Sequence, residues 1–151
     1  MPRIVREADV SWEGNLARGA GALTAATSHA FEALGYSLPT RIADAPEGKT
    51  SPEELLACAH GGCFTMSLAG ELTAAGTPPG RLDVHCRITM DEVEGQGHLI
   101  VHSALDVRAR VDGLDAESFA KAVEDAHAGC SFSSLLRAAG VGIDIETTLD
   151  G

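Results

Sequence analysis

The side chains in this sequence best suited to nucleophilic or redox chemistry are four cysteines, Cys58, Cys63, Cys86 and Cys130. They are too few to staple a 151-residue chain into a disulfide framework, so each must be judged by its own setting. Cys86 alternates in step with Leu82, Val84, Ile88 and Met90 and reads as an inert core thiol. Cys58, between Ala57 and Ala59 with no charged neighbour nearer than Glu54, reads the same way. Cys63 is different because Gly61 and Gly62 precede it. Each glycine inside a helix costs about 1 kcal/mol relative to alanine. That cost implies a need for space, either for close approach of a second helix or for access of a small substrate to the sulfur. Cys130 follows Gly129 at the expected start of a helix, where unpaired N–H groups and the helix dipole favour a thiolate; the alternative is a buried cap residue.

Two other chemistries are disfavoured. Cys58, His60 and Cys63 place three soft metal ligands within one short stretch. On a helix, however, Cys58 and His60 diverge by about 160° and Cys58 and Cys63 by about 140°, so they cannot converge on zinc without unwinding. A Cys-His hydrolase lacks any local signature around Cys63, and its histidine would have to be guessed. No metal or other cofactor is expected.

The helix that carries Cys63 is strongly specified. Ser51 can act as N-cap, Pro52 suits the first helical position, and Glu54 completes an S-x-x-E capping box. Gly76, Pro78, Pro79 and Gly80 stop the helix after about Ala75. From Leu55 to Gly70 it has no charged residue, so it calls for burial on all sides. A domain of this size seldom surrounds such a helix alone, which points to a homodimer. The run is too short to span a membrane and is flanked by Glu54 and Glu71.

Ahead of it, a strand over residues 4–12, a turn at Glu13-Gly14-Asn15 and a return over residues 19–26 predict a hairpin. Residues 30–38 are ambiguous between a helical turn and a strand, and residues 39–42 are expected to be extended. After the helix, Leu82 to Met90 and Leu99 to Val111 alternate as two long strands around Glu94-Gly95-Gln96-Gly97. Asp115 can cap a helix over residues 116–128 with Phe119, Ala122, Val123 and Ala126 inward. A break at Gly129, a short helix over 131–139 and a strand from Val141 to Leu149 follow. The order predicts a single α+β domain over residues 1–151, with antiparallel sheets around a long buried central helix.

The formal net charge of −11 and the absence of any Lys/Arg run argue against binding to nucleic acid or an anionic membrane. The charged N-terminus has no apolar secretory region, so the expected location is cytoplasmic.

Pro52-Glu53-Glu54-Leu55, then Cys63-Phe64, then a distant Cys130-Ser131-Phe132-Ser133 resembles the OsmC/Ohr family of thiol-dependent hydroperoxide reductases. Trp12-Glu13-Gly14 with Arg18-Gly19-x-Gly21, and the segment Tyr36 to Arg41, resemble its osmotically inducible OsmC branch. The resemblance implies an intertwined homodimer with sites at the interface. It also implies Cys63 as peroxidatic thiol, Cys130 as resolving thiol, and Arg41 with Glu53 as the pair that activates Cys63 and orients the peroxide. An arginine guanidinium stays charged and can stabilise a thiolate, and a carboxylate can aim it bidentately. Of the two glutamates, Glu53 lies about 80° off the Cys63 face and Glu54 about 180° away. Ten residues of helix rise about 15 Å, so Arg41 must bridge, the helix must bend, or Glu53 must come from a partner chain. The family usually has proline after the second cysteine, whereas Ser131 stands here. The implied substrates are an organic hydroperoxide and, less well, hydrogen peroxide, with an external dithiol as reductant. The alternative is a non-catalytic relative that binds a lipid-like ligand in its dimer cleft.

Overall fold

The computed structural model describes residues 2–150, and the backbone groups into two compact units, one ending at Pro52 and the other beginning at Glu53. In the first unit, β1 (Asp9–Glu13), β2 (Ala20–Thr24) and β3 (Leu34–Tyr36) form an antiparallel sheet in that order. The predicted hairpin is present, but its strands are shorter than expected. Residues 4–8 lie outside β1, and the ambiguous segment supplies β3.

Gly21 shows why the hairpin carries glycine. A Cβ there would stand 2.3 Å from the Tyr36 ring and 2.5 Å from the Ser11 carbonyl oxygen. Side chains are excluded so that Tyr36 can lie across the sheet, where its ring meets Trp12 at 5.5 Å between centroids.

The expectation of an extended segment at 39–42 is overturned by a short helix, α1 (Leu38–Ile42). Ser37 is its N-cap, accepting from the Thr40 N–H, and Pro39 sits in the first turn where its missing N–H is not needed. The proline therefore opens a helix instead of prolonging a strand.

In the second unit, α2 (Pro52–Ala74) is the long helix expected. It packs along one face of a sheet with order β4 (Arg81–Val93), β5 (Gly97–Arg110), β6 (Gly142–Asp150). Strands β4 and β5 form the predicted antiparallel hairpin. The β5–β6 pair departs from the antiparallel expectation and runs parallel, because the chain crosses between them through α3 (Ala116–Gly129) and α4 (Ser131–Ala138).

A bulge interrupts the hairpin register. Thr89 pairs with His102 and Met90 with Ile100, so Val101 is the extra residue. Beyond it the faces exchange, which puts Leu99 at 39% exposure although sequence alternation groups it with Leu105 and Val107.

Phe64, Leu68 and Leu72 of α2, Leu105, Val107 and Ala109 of β5, and Phe119 and Ala126 of α3 make one core. Asp115 caps α3 through the Ser118 N–H, and the four residues predicted to face inward on that helix are buried. The predicted break at Gly129 is displaced by one residue. Helix α3 includes Gly129, and the turn falls at Cys130, which is both C-cap of α3 and N-cap of α4.

Helix α2 is not buried all round in the single chain. His60, Gly61, Phe64, Leu68 and Leu72 are buried, while Cys58, Gly62, Met66 and Gly70 form an exposed stripe at four-residue spacing. Among the described residues, no helix is long and apolar enough to cross a membrane.

Candidate active site

Cys63 lies in the middle of α2, half-buried, and faces the beginning of α4. Its sulfur is 3.6 Å from Ser131 Oγ, and it packs against the buried cluster that includes Cys130. The first turn of α4, which carries the unpaired N–H donors that open a helix, thus lies against the sulfur. Burial alone would push the Cys63 thiol up. Hydrogen bonds from Phe132 N–H, Cys130 and Ser131 outweigh it and hold the thiol below its ordinary range, favouring the thiolate.

Cys130 is wholly buried and its sulfur accepts from the Ser133 N–H at 3.4 Å, so a sulfur fills the cap position usually held by oxygen. The structure thus brings together Cys63 and Cys130, with all four cysteines as free thiols. Of the two sequence readings of Cys130, the structure shows the buried cap residue, and Cys63 packs against the cluster that contains it.

The remaining cysteines are elsewhere. Cys86, on β4, is partly buried with its sulfur 3.7 Å from Ser103 Oγ, and burial pushes its thiol up, as suits an inert packing residue. Cys58 is exposed on the open stripe of α2, which corrects its reading as a core residue. His60 is buried with both ring nitrogens bonded to serine hydroxyls, so Cys58, His60 and Cys63 do not share a focus. The two glycines before Cys63 serve different ends. A Cβ at Gly61 would come within 3.2 Å of Cys86 Cβ, so this glycine lets α2 settle on β4, whereas Gly62 lies on the exposed stripe with open space before it.

Arg41 is carried by α1 in the first unit, at a cavity of about 170 Å³ that it lines with Trp12, Leu16, Tyr36 and Leu38. An arginine beside aromatic and aliphatic walls suits a ligand with a polar head and an apolar body. Glu53 stands in the first turn of α2.

Sequence reasoning overlooked Ser131 and Ser133 as site residues and weighed His60 only as a metal ligand. Ser131 had a signal: it stands where the resemblance leads one to expect proline, and proline would supply neither the N–H nor the hydroxyl that meets Cys63. Ser131→Ala is expected to slow iodoacetamide alkylation of Cys63 near neutral pH about threefold, the worth of one modest hydrogen bond. Ser131→Pro, which also removes the N–H, should slow it further. Unchanged alkylation profiles in both variants would show that these donors do not act on the thiol.

His60 adds a pH dependence. Burial, then the neighbouring His127, lower its pKa, so the folded protein holds it neutral. The unfolded chain takes up the proton at the ordinary histidine value of about 6.5, and stability is therefore fully present above that pH and declines as the pH falls below it. Thermal melts at decreasing pH should show this decline, and it should be shallower in His60→Gln. His127, also lowered by burial and by Arg137, contributes in the same direction.

Residues 45–146 match the family model described as OsmC-like protein. The chain is 34% identical over 147 residues to a curated protein named peroxiredoxin OsmC from Escherichia coli K12, covering 97% of this chain and 95% of that protein, and equally to its Shigella flexneri counterpart. Among solved structures, an OsmC-like protein of unknown function from Vibrio cholerae aligns with TM-score 0.77 at 12% identity, covering 97% of this chain and all of that one. The organic hydroperoxide resistance protein OhrB of Bacillus subtilis aligns with TM-score 0.66 at 21% identity, covering 95% and 98% of the two chains.

Proposed function

The chain belongs to the OsmC family, and we propose that it is a thiol-dependent peroxidase that reduces organic hydroperoxides, and hydrogen peroxide less well, in defence against oxidative and osmotic stress. The observation that carries this reading is the Cys63 sulfur set against the start of α4 with the Cys130 thiol beside it. The names of its relatives, peroxiredoxin and hydroperoxide resistance protein, support the same class of chemistry.

The Cys63 thiolate attacks the distal oxygen of ROOH. The O–O bond breaks, the alkoxide leaves and takes a proton to become ROH, and Cys63 retains the OH as a sulfenic acid. The Cys130 thiol then attacks the sulfenic sulfur, releasing water and forming the Cys63–Cys130 disulfide. An external dithiol reduces that disulfide by two exchange steps and becomes a disulfide itself. Arg41 stabilises the thiolate and hydrogen-bonds the peroxide, and Glu53 aims the guanidinium. The chemistry needs no metal or organic cofactor, and the protein works in the cytoplasm.

The test is consumption of cumene hydroperoxide and hydrogen peroxide by the reduced protein with dithiothreitol. Turnover of the organic peroxide at the higher kcat/KM is the expected result. A protein that consumes neither would be a ligand-binding relative instead.

The functional form is an intertwined homodimer. Support comes from the stripe Cys58, Gly62, Met66 and Gly70, with Met66 at 78% exposure in the single chain. Met66→Asp is expected to shift the protein from dimer to monomer in sedimentation equilibrium, weakening association at least tenfold, because a carboxylate would be buried without a partner. A wild-type monomer would sink the assembly.

A further inference from the structure

His60, Ser103 and Ser133 form a polar chain in which no residue is exposed to solvent. His60 Nδ1 meets Ser103 Oγ on β5 at 2.7 Å, and His60 Nε2 meets Ser133 Oγ on α4 at 2.9 Å. A neutral imidazole has one donor and one acceptor, and two hydroxyls that rotate freely can satisfy both ends. Burying such groups is costly unless every bond is made. This chain makes them by joining three elements, and it does so three residues before Cys63.

The far end of the chain is the informative one. Ser133 lies in the first turn of α4, and its N–H is the donor that caps onto Cys130. The same turn presents the N–H groups of Ser131 and Phe132 to Cys63. Helix α4 has only eight residues, too few to be stable by itself. Its cap is a sulfur, a weaker acceptor than the usual oxygen. Something else must hold that turn still, and the bond from Ser133 to His60 is placed to do it.

We propose that His60 is a positioning residue for the thiol chemistry: by tying Ser133 to α2 and β5 it fixes the first turn of α4, so that Cys130 and the N–H groups of that turn stay directed at Cys63. This rests on the peroxidase reading for its purpose. Its physical effect, the reactivity of Cys63, is measurable without peroxide. The charged or titratable groups near the imidazole are His127 of α3, which lies beside it, and Arg137 of α4, which acts on His127.

The experiment follows iodoacetamide alkylation of Cys63 by peptide mass spectrometry as a function of pH. It uses the reduced wild type, Ser133→Ala, His60→Ala, the double variant and His60→Gln, each checked for a cooperative melt. Ser133→Ala and His60→Ala are expected to slow alkylation near neutral pH roughly tenfold and to move the profile to higher pH. The double variant should be no slower than either single one, because both remove the same tie. His60→Gln, which keeps a donor and an acceptor, should recover most of the loss.

A folded Ser133→Ala with the wild-type profile, or a double variant whose slowing is the product of the two singles, overturns the proposal. Ser133→Ala removes one buried oxygen and leaves the backbone cap intact, so it remains decisive even if His60→Ala does not fold. Should the wild type consume no peroxide while these profiles shift as described, the peroxidase reading falls and the positioning role stands. Peroxide turnover with immovable profiles is the converse.

Discussion

Cys63→Ser is expected to lower dithiothreitol-supported hydroperoxide turnover by more than about a thousandfold, because it removes the only group in the proposed mechanism able to attack the O–O bond. A serine hydroxyl at the same place would still face the α4 N-terminus, but it stays protonated near neutral pH and is a far poorer nucleophile toward oxygen. Cys130→Ser should behave differently. Its Cys63 remains opposite the Ser131 and Phe132 N–H groups, so it should reduce about one equivalent of peroxide quickly and then stall as a sulfenic acid. Cys86→Ser should stay within about twofold of wild type, since the Cys86 thiol is pushed up by burial and packs against β5. Stopped-flow peroxide consumption with mass spectrometry of the oxidised cysteine separates the three cases. Full turnover by Cys63→Ser would move the peroxidatic role to another thiol and end the mechanism proposed above.

The second large effect is on stability. Phe64→Ala should cost about 3–5 kcal/mol, read as a lower midpoint in urea with little change in slope. Phe64 is entirely buried beside Cys63 in sequence, in the same cluster as Leu68, Leu105, Val107 and Phe119. Removing its ring leaves a cavity between α2 and the sheet that neither can close without moving the other. Against a typical total of about 5–15 kcal/mol, such a loss brings the chain close to unfolding at growth temperature. The residual folded protein should also lose Cys63 reactivity, because the helix that carries the thiol rests on this contact. A cost below about 1 kcal/mol would mean that α2 is not seated on β5 as described.

What was legible in the sequence was whatever local periodicity and caps determine. Helix α2, the β4–β5 hairpin and the Asp115 cap of α3 all follow from such patterns. Helix α1 was not anticipated because Pro39 biases the residue before it toward extended backbone, and the cap that the Ser37 hydroxyl provides was not considered. The parallel sense of β6 was not legible, since alternation reports which face is buried and says nothing about direction. The bulge at Val101 likewise needs the partner strand to define it.

At the site, Cys63 and Cys130 were found individually from glycine placement and helix position, and joined only through the family resemblance. The chain from His60 to Ser103 and Ser133 was invisible because its members are far apart in sequence. A buried histidine satisfied by two hydroxyls has no spacing signature.

Because β6 runs parallel to β5, it can pair only after the chain has passed through the whole crossover of α3 and α4. Cys130 sits inside that crossover, at the joint between its two helices. Pairing at such sequence separation must overcome loop-closure entropy before it is rewarded, so it belongs to the later events of folding. On the proposed mechanism, a nascent or refolding chain would carry Cys63 with ordinary thiol reactivity until the start of α4 comes to lie against it. If Cys63 and Cys130 act as proposed, sensitivity to peroxide is a maturation product, acquired late in folding together with the second thiol that relieves it.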